Sequence, residues 1–125
     1  MTNPNSIPRE IEGRRTVFVS NYSAHDYSDA QTYGKIFPIT SGSLNLLNLD
    51  RMLTSAVEAI KNSEAEDFLL ISGPPVMCAI ALATWLGAHT KCNLLLFDAK
   101  ERVYVLKTIS RNQITTALTH MTESV

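Results

Sequence analysis

The sequence predicts a single α/β domain built on a mostly parallel sheet, and three observations carry that reading. Phe68-Leu69-Leu70-Ile71 and Leu94-Leu95-Leu96-Phe97 are almost uninterrupted apolar runs; runs that do not alternate apolar with polar belong to strands buried on both faces. Between them lies a helical segment opened by Pro74-Pro75 and followed by Gly87, a crossover long enough to bring the second strand alongside in parallel. With 125 residues, 45% of them hydrophobic, the chain fits one domain with one core.

Residues 1–15 hold two Pro, one Gly and little apolar periodicity, so they read as a flexible N-terminal arm that can reach a neighbouring subunit through Ile7 and Ile11. The domain proper is expected over residues 16–121. Thr16 to Ser20, β-branched and aromatic, is the first strand. After the polar loop from Asn21 to Ser28, Asp29 to Tyr33 supports one or two helical turns, with Asp26 or Ser28 as N-cap and Gly34 as terminator. Lys35 to Ile39 is a short second strand. Leu49, Met52, Leu53, Ala56, Val57 and Ile60 recur at helical spacing after an Asn48 N-cap, with Asp50, Arg51, Ser55, Glu58 and Lys61 facing away.

Phe68 to Ser72 is the third strand. A helix starting at Pro74 or Pro75, where a missing N–H costs nothing, runs to Leu86 with Gly87 as its stop. Asn93 to Phe97 is the fourth strand, and the turn Asp98-Ala99-Lys100-Glu101 leads to Arg102 to Lys107, too close in sequence for anything but an antiparallel hairpin. Ile114, Leu118 and Met121 mark a last helix, with residues 122–125 frayed. The simplest assembly is one five-stranded sheet in the order 2-1-3-4-5, the antiparallel fifth strand at its edge and helices on both faces: a three-layer, Rossmann-like arrangement of flavodoxin-like strand order.

Eleven Lys and Arg against twelve Asp and Glu give a net charge of -1, which supplies no electrostatic footprint for duplex nucleic acid or an anionic membrane. The apolar stretch from Val76 to Leu86 is about half the ~20 residues a bilayer span needs, and the N-terminus lacks a hydrophobic signal core. Cys78 and Cys92 are too few for a disulfide framework or a four-ligand zinc site. Cys78 reads as a core residue and Cys92 as the more exposed of the two. A cytoplasmic, reduced protein without metal or cofactor is expected.

Open α/β sheets bind ligands outside the carboxyl ends of their strands, at the point where the strand order reverses. That point falls between the first and third strands, so the Ser20–Tyr27 loop is expected to face Ser72-Gly73-Pro74 across a crevice. Tyr22 and Tyr27 offer a stacking surface for a base, Asn21 can pair with its edge, and His25 can contact a phosphate or transfer a proton near neutral pH. Ser20, Asp26, Ser41, Gly42, Ser72, Gly73 and Asp98 complete the candidate binding set. Pro74 and Pro75 withhold two of the N–H donors that a phosphate loop would use.

Leu69-Leu70-Ile71-Ser72-Gly73-Pro74-Pro75-Val76-Met77 and the helix after it resemble the strand-Gly-helix segment of the CARF and SAVED domains, Rossmann-like sensors of cyclic oligonucleotides in prokaryotic antiviral signalling. Val17 to Asp26 is similar to the first strand and loop of TIR domains, although no downstream helix carries a matching catalytic Glu. The whole chain also resembles small stand-alone bacteriophage proteins of uncharacterised function. The leading expectation is a non-enzymatic protein that binds a nucleotide, such as a cyclic oligonucleotide, or a related anionic ligand. Such a ligand would be a signalling molecule in a phage or antiviral-defence setting, with the protein in the host cytoplasm as a homo-oligomer. The edge strand with Tyr104 and Leu106 is the expected contact between copies. One alternative is a phosphodiesterase using His25 as acid or base with Tyr22 or Tyr27 assisting. The other is a structural or interaction protein with no small ligand.

Overall fold

The computed structural model describes residues 15–123. The expected arm, apart from Arg15, and the fraying at residues 124 and 125 lie outside the described residues. Five strands form one sheet: β1 (Thr16–Val19), β2 (Lys35–Pro38), β3 (Phe68–Leu70), β4 (Lys91–Asp98) and β5 (Val103–Ser110). Their order is β2-β1-β3-β4-β5, that of the simplest assembly. The first four are mutually parallel, with Val17 opposite both Ile36 and Phe68 and Leu70 opposite Leu95. β5 returns antiparallel, placing Phe97 opposite Tyr104.

Helices α1 (Leu49–Ile60) and α2 (Pro75–Ala88) share one face. Both follow connections that step the same way across the sheet, and right-handed crossovers put such connections on the same side. Met52, Ala56, Ile60, Met77, Ala81 and Trp85 meet Phe18, Leu69 and Cys92 in this core. The β1–β2 connection steps the opposite way and covers the opposite face. The expected helical layer is there a five-residue 3₁₀ turn, Ser28–Thr32, completed by side chains: Tyr27 and Ala30 pack with Val17, Val19, Leu70, Leu95 and Tyr104. Helix α3 (Arg111–Glu123) follows β5 directly and runs beyond the expected boundary at residue 121.

Local chemistry explains most element ends. Asn48 caps α1, its Oδ1 accepting from Arg51 N at 3.1 Å. The buried stripe of α1 is Met52, Ala56, Ala59 and Ile60, whereas Leu49, Leu53 and Val57, expected in the core, are about half exposed. Neither Asp26 nor Ser28 is the N-cap of the 3₁₀ turn: Tyr27 holds that position, and Asp26 Oδ1 instead accepts from Ser28 N at 2.9 Å. Gly34 is buried, and a Cβ there would overlap the Arg15 carbonyl, so close packing rather than a left-handed stop requires glycine. Gly87 does not end α2, which continues to Ala88. The two thiols exchange roles: Cys92 is fully buried, and Cys78 is the partly exposed one.

Candidate functional site

β1 and β3 deliver Ser20 and Ser72 side by side at the carboxyl end of the sheet. Ser20 Oγ donates to the Ser72 carbonyl at 2.6 Å and accepts from Ser72 N at 2.8 Å. Asn21 N continues the pairing to the Ser72 carbonyl at 3.0 Å. The Asn21 amide is engaged at both ends, its Nδ2 donating to the Gly42 carbonyl at 3.1 Å and its Oδ1 lying 2.8 Å from Thr40 Oγ1. Gly73, at φ +97°, brings its backbone against this side chain: a Cβ there would sit 2.5 Å from Asn21 Cβ. The two loops therefore touch where an open crevice was expected, and Ser20 and Asn21 are buried at 0% and 3% exposure.

This contact separates two clefts at the carboxyl end. On the helical side, a pocket of about 490 Å³ runs from Thr40, Ser41 and Ser43 past Asn45 and Asn48 to Arg51 and Ser55, floored by Ile39, Leu44 and Met52. On the other side, a cleft of about 240 Å³ is lined by His25, Asp26, Ile71, Ser72, Gly73, Phe97 and Tyr104. The two lie on opposite sides of the sheet, since Ile39 and Met52 belong to the helical core and Tyr104 to the aromatic one.

The tyrosine-rich loop is largely structural. Tyr27 is buried, stacks on Tyr22 at 4.7 Å between ring centres and reaches Tyr104 at 6.5 Å. Its hydroxyl accepts from Ser23 N at 3.2 Å and lies 2.9 Å from Ser72 Oγ. Tyr22 keeps one ring face toward solvent while its backbone pairs with Thr40 and Gly42. His25 is exposed, edge-on to Tyr27 at 6.2 Å. The Ser28 hydroxyl and then its N–H hold the Asp26 carboxyl below the usual carboxylate range. Burial, followed by the charges of Tyr27, Asp26 and Asp29, raises the Tyr104 hydroxyl. Asp98 is a turn former whose Oδ1 accepts from Lys100 N and Glu101 N at 3.0 and 3.2 Å.

Of the predicted residues, the larger pocket takes Ser41 and the smaller cleft takes His25, Asp26, Ser72 and Gly73. Ser20, Asn21 and Tyr27 hold the scaffold; Tyr22, Gly42 and Asp98 line neither cleft. Arg51, Asn45, Asn48 and Ser55 escaped sequence reasoning because they sit on or before the polar side of α1, which reads as solvated. A usable signal was present: five hydroxyl or amide residues among the nine from Thr40 to Asn48, ending at a capped helix with Arg in its first turn. Among the described residues, Arg51 has no carboxylate within ion-pair distance, and no group of three His, Cys, Asp or Glu is placed to hold a metal ion. No helix among them is long and apolar enough to cross a membrane.

A family model described as Phage Pam3 gp32-like protein matches residues 11–110. No curated protein and no solved structure matches the chain. The comparisons thus lead to phage proteins, and the resemblance of the strand-Gly-helix segment to CARF and SAVED domains is not supported.

Proposed function

The chain belongs to the Phage Pam3 gp32-like protein family, and from that premise we propose that it is a small non-enzymatic binding protein acting in the infected host's cytoplasm. In this reading it is a Rossmann-like domain that holds a nucleotide or related anionic ligand in the pocket between Thr40 and Ser55. The observation that carries the reading is Arg51, a guanidinium on the wall of a hydroxyl- and amide-lined pocket with no carboxylate partner among the described residues. A guanidinium so placed matches the geometry of a phosphate or carboxylate. The first-turn N–H groups of Leu49 and Asp50 have no intrahelical acceptor, and the positive end of the helix dipole lies at the same place. At about 490 Å³ the pocket is of the size that takes small organic ligands.

Thermal shift against inorganic phosphate, mononucleotides, dinucleotides and cyclic oligonucleotides tests the proposal. A ligand at a hundred times its Kd adds roughly 2.7 kcal/mol to the native state. Arg51→Gln is expected to weaken binding roughly 10- to 100-fold, the worth of a charge-assisted hydrogen-bond pair, with little change in the melting temperature of the free protein. A ligand whose affinity ignores Arg51→Gln and falls with His25→Ala belongs in the aromatic cleft instead. Turnover that His25→Ala abolishes selects the phosphodiesterase, and no shift across the panel selects an interaction protein without a small ligand.

A further inference from the structure

Helix α2 has an outer surface that does not suit an isolated domain. From Pro75 to Ala88 it contains no charged residue, and a helix that is apolar all round is normally enclosed. Met77, Ala81 and Trp85 fill its inner face. Ala79, Ala83 and Gly87 recur every fourth residue on the opposite side, all exposed. Gly87 returns nothing to the monomer: a Cβ there would meet no atom within 4 Å, and its φ is not left-handed. Yet glycine in a helix costs about 1 kcal/mol relative to alanine. Helix α1 packs against α2 and adds Leu53 and Val57, 48% and 47% exposed.

We propose that this two-helix face docks a second copy of the chain about a two-fold axis perpendicular to the helices, so that each helix lies antiparallel to its counterpart. The face is complementary to itself in that arrangement. On α2, Ala83 falls at the axis and Gly87 faces the partner's Ala79, small residues that let the helix backbones approach. On α1, Leu53 faces the partner's Val57, and Asp50 faces the partner's Lys61, so opposite charges meet at both ends. A surface that matches its own rotated copy is the signature of an isologous dimer. The ends of the two helices lie together, since Ser63 beyond α1 meets His89 beyond α2, Oγ to Nε2 at 2.7 Å.

In this proposal the β5 edge is not the contact between copies. Tyr104 is buried, its N–H donates to Asp29 Oδ2 at 2.7 Å and its carbonyl accepts from the Tyr33 hydroxyl at 3.3 Å. Ser110 N donates to Gln113 Oε1 at 2.8 Å, and Lys107 stands exposed between these capped ends. These are the devices that blunt a sheet edge against pairing.

Sedimentation of the full chain across protein concentration tests the dimer, which does not depend on the ligand pocket. The expected species has twice the 13.8 kDa chain mass. Ala83→Glu brings two carboxylates together at the axis and gives a monomer with an unchanged far-ultraviolet spectrum. Asp50→Lys weakens dimerisation roughly tenfold, since two like-charge contacts replace two ion pairs, and the Asp50→Lys/Lys61→Asp double variant recovers it. Leu106→Glu on β5 leaves the dimer intact. A monomeric wild type, a dimeric Ala83→Glu variant, a double variant as weak as the single one, or a dimer lost with Leu106→Glu each overturns the proposal.

Discussion

The two faces of the sheet are covered by different materials. Two helices cover one face, each satisfying its own backbone and presenting a stripe of Met52, Ala56 and Ile60 or of Met77, Ala81 and Trp85. A loop and one 3₁₀ turn cover the other, and there side chains must do both jobs. Tyr27 fills the core with its ring and holds Ser23 N with its hydroxyl; Asp26 holds Ser28 N and Asp29 holds Tyr104 N. The contrast explains why Asn21 to Tyr27 is so rich in aromatic and polar residues. Most of that richness replaces a missing helix, and what is free for a ligand stands at the rims of the clefts.

The largest test compares the two cores directly. Trp85→Ala removes a fully buried ring and its Nε1 bond to the Lys91 carbonyl at 3.1 Å, and it is expected to cost about 3–5 kcal/mol in urea unfolding. Tyr27→Ala is expected to fall in the same range, because Tyr27 stacks between Tyr22 and Tyr104 at 4% exposure. A loss below about 1 kcal/mol for Tyr27→Ala would make the aromatic face a loose cover and return its ring to the candidate binding surface.

A smaller effect separates the seam between the faces from its rim. Gly73→Ala forces a Cβ into Asn21 at φ +97° and should cost about 2 kcal/mol or more, since a left-handed backbone and an overlap add. Gly42 has φ +70° with nothing within 4 Å of a Cβ, so Gly42→Ala should cost about 1 kcal/mol from the backbone alone. Equal losses in unfolding experiments would show that the Asn21–Gly73 contact yields easily and that the crevice between the loops can open.

The sheet order was legible because it rests on local facts: Leu69 and Leu95 lie in uninterrupted apolar runs, and connection lengths decide parallel from antiparallel. The Asn48 cap and the Pro75 start were legible for the same reason. The candidate site was legible only as the carboxyl end of the sheet. That Asn21 would spend its amide on Gly42 and Thr40, and that Gly73 would receive its Cβ, depends on residues brought together from three loops. Arg51 was hidden by a similar cause, because its exposed helical position becomes a pocket wall only once Thr40 to Asn45 fold back beside α1.

The smallest effect again weighs one face against the other, through pH. On the helical face, burial pushes the Cys92 thiol from 9.0 up to about 12; on the aromatic face, burial and then the charges of Tyr27, Asp26 and Asp29 raise Tyr104 above 10.0. Both groups hold their protons more tightly folded than unfolded. As pH climbs past 9.0 the unfolded chain ionises first and binds fewer protons than the native state, so stability falls with rising pH. Below pH 9 the contribution is fully present and flat. Melting temperature against pH should therefore bend downward above pH 9, with Cys92→Ala removing the earlier part of the bend and Tyr104→Phe the part above pH 10. If only Tyr104→Phe flattens the curve, water reaches Cys92 through the helical layer, and the two-helix face is the looser of the two covers despite its larger core.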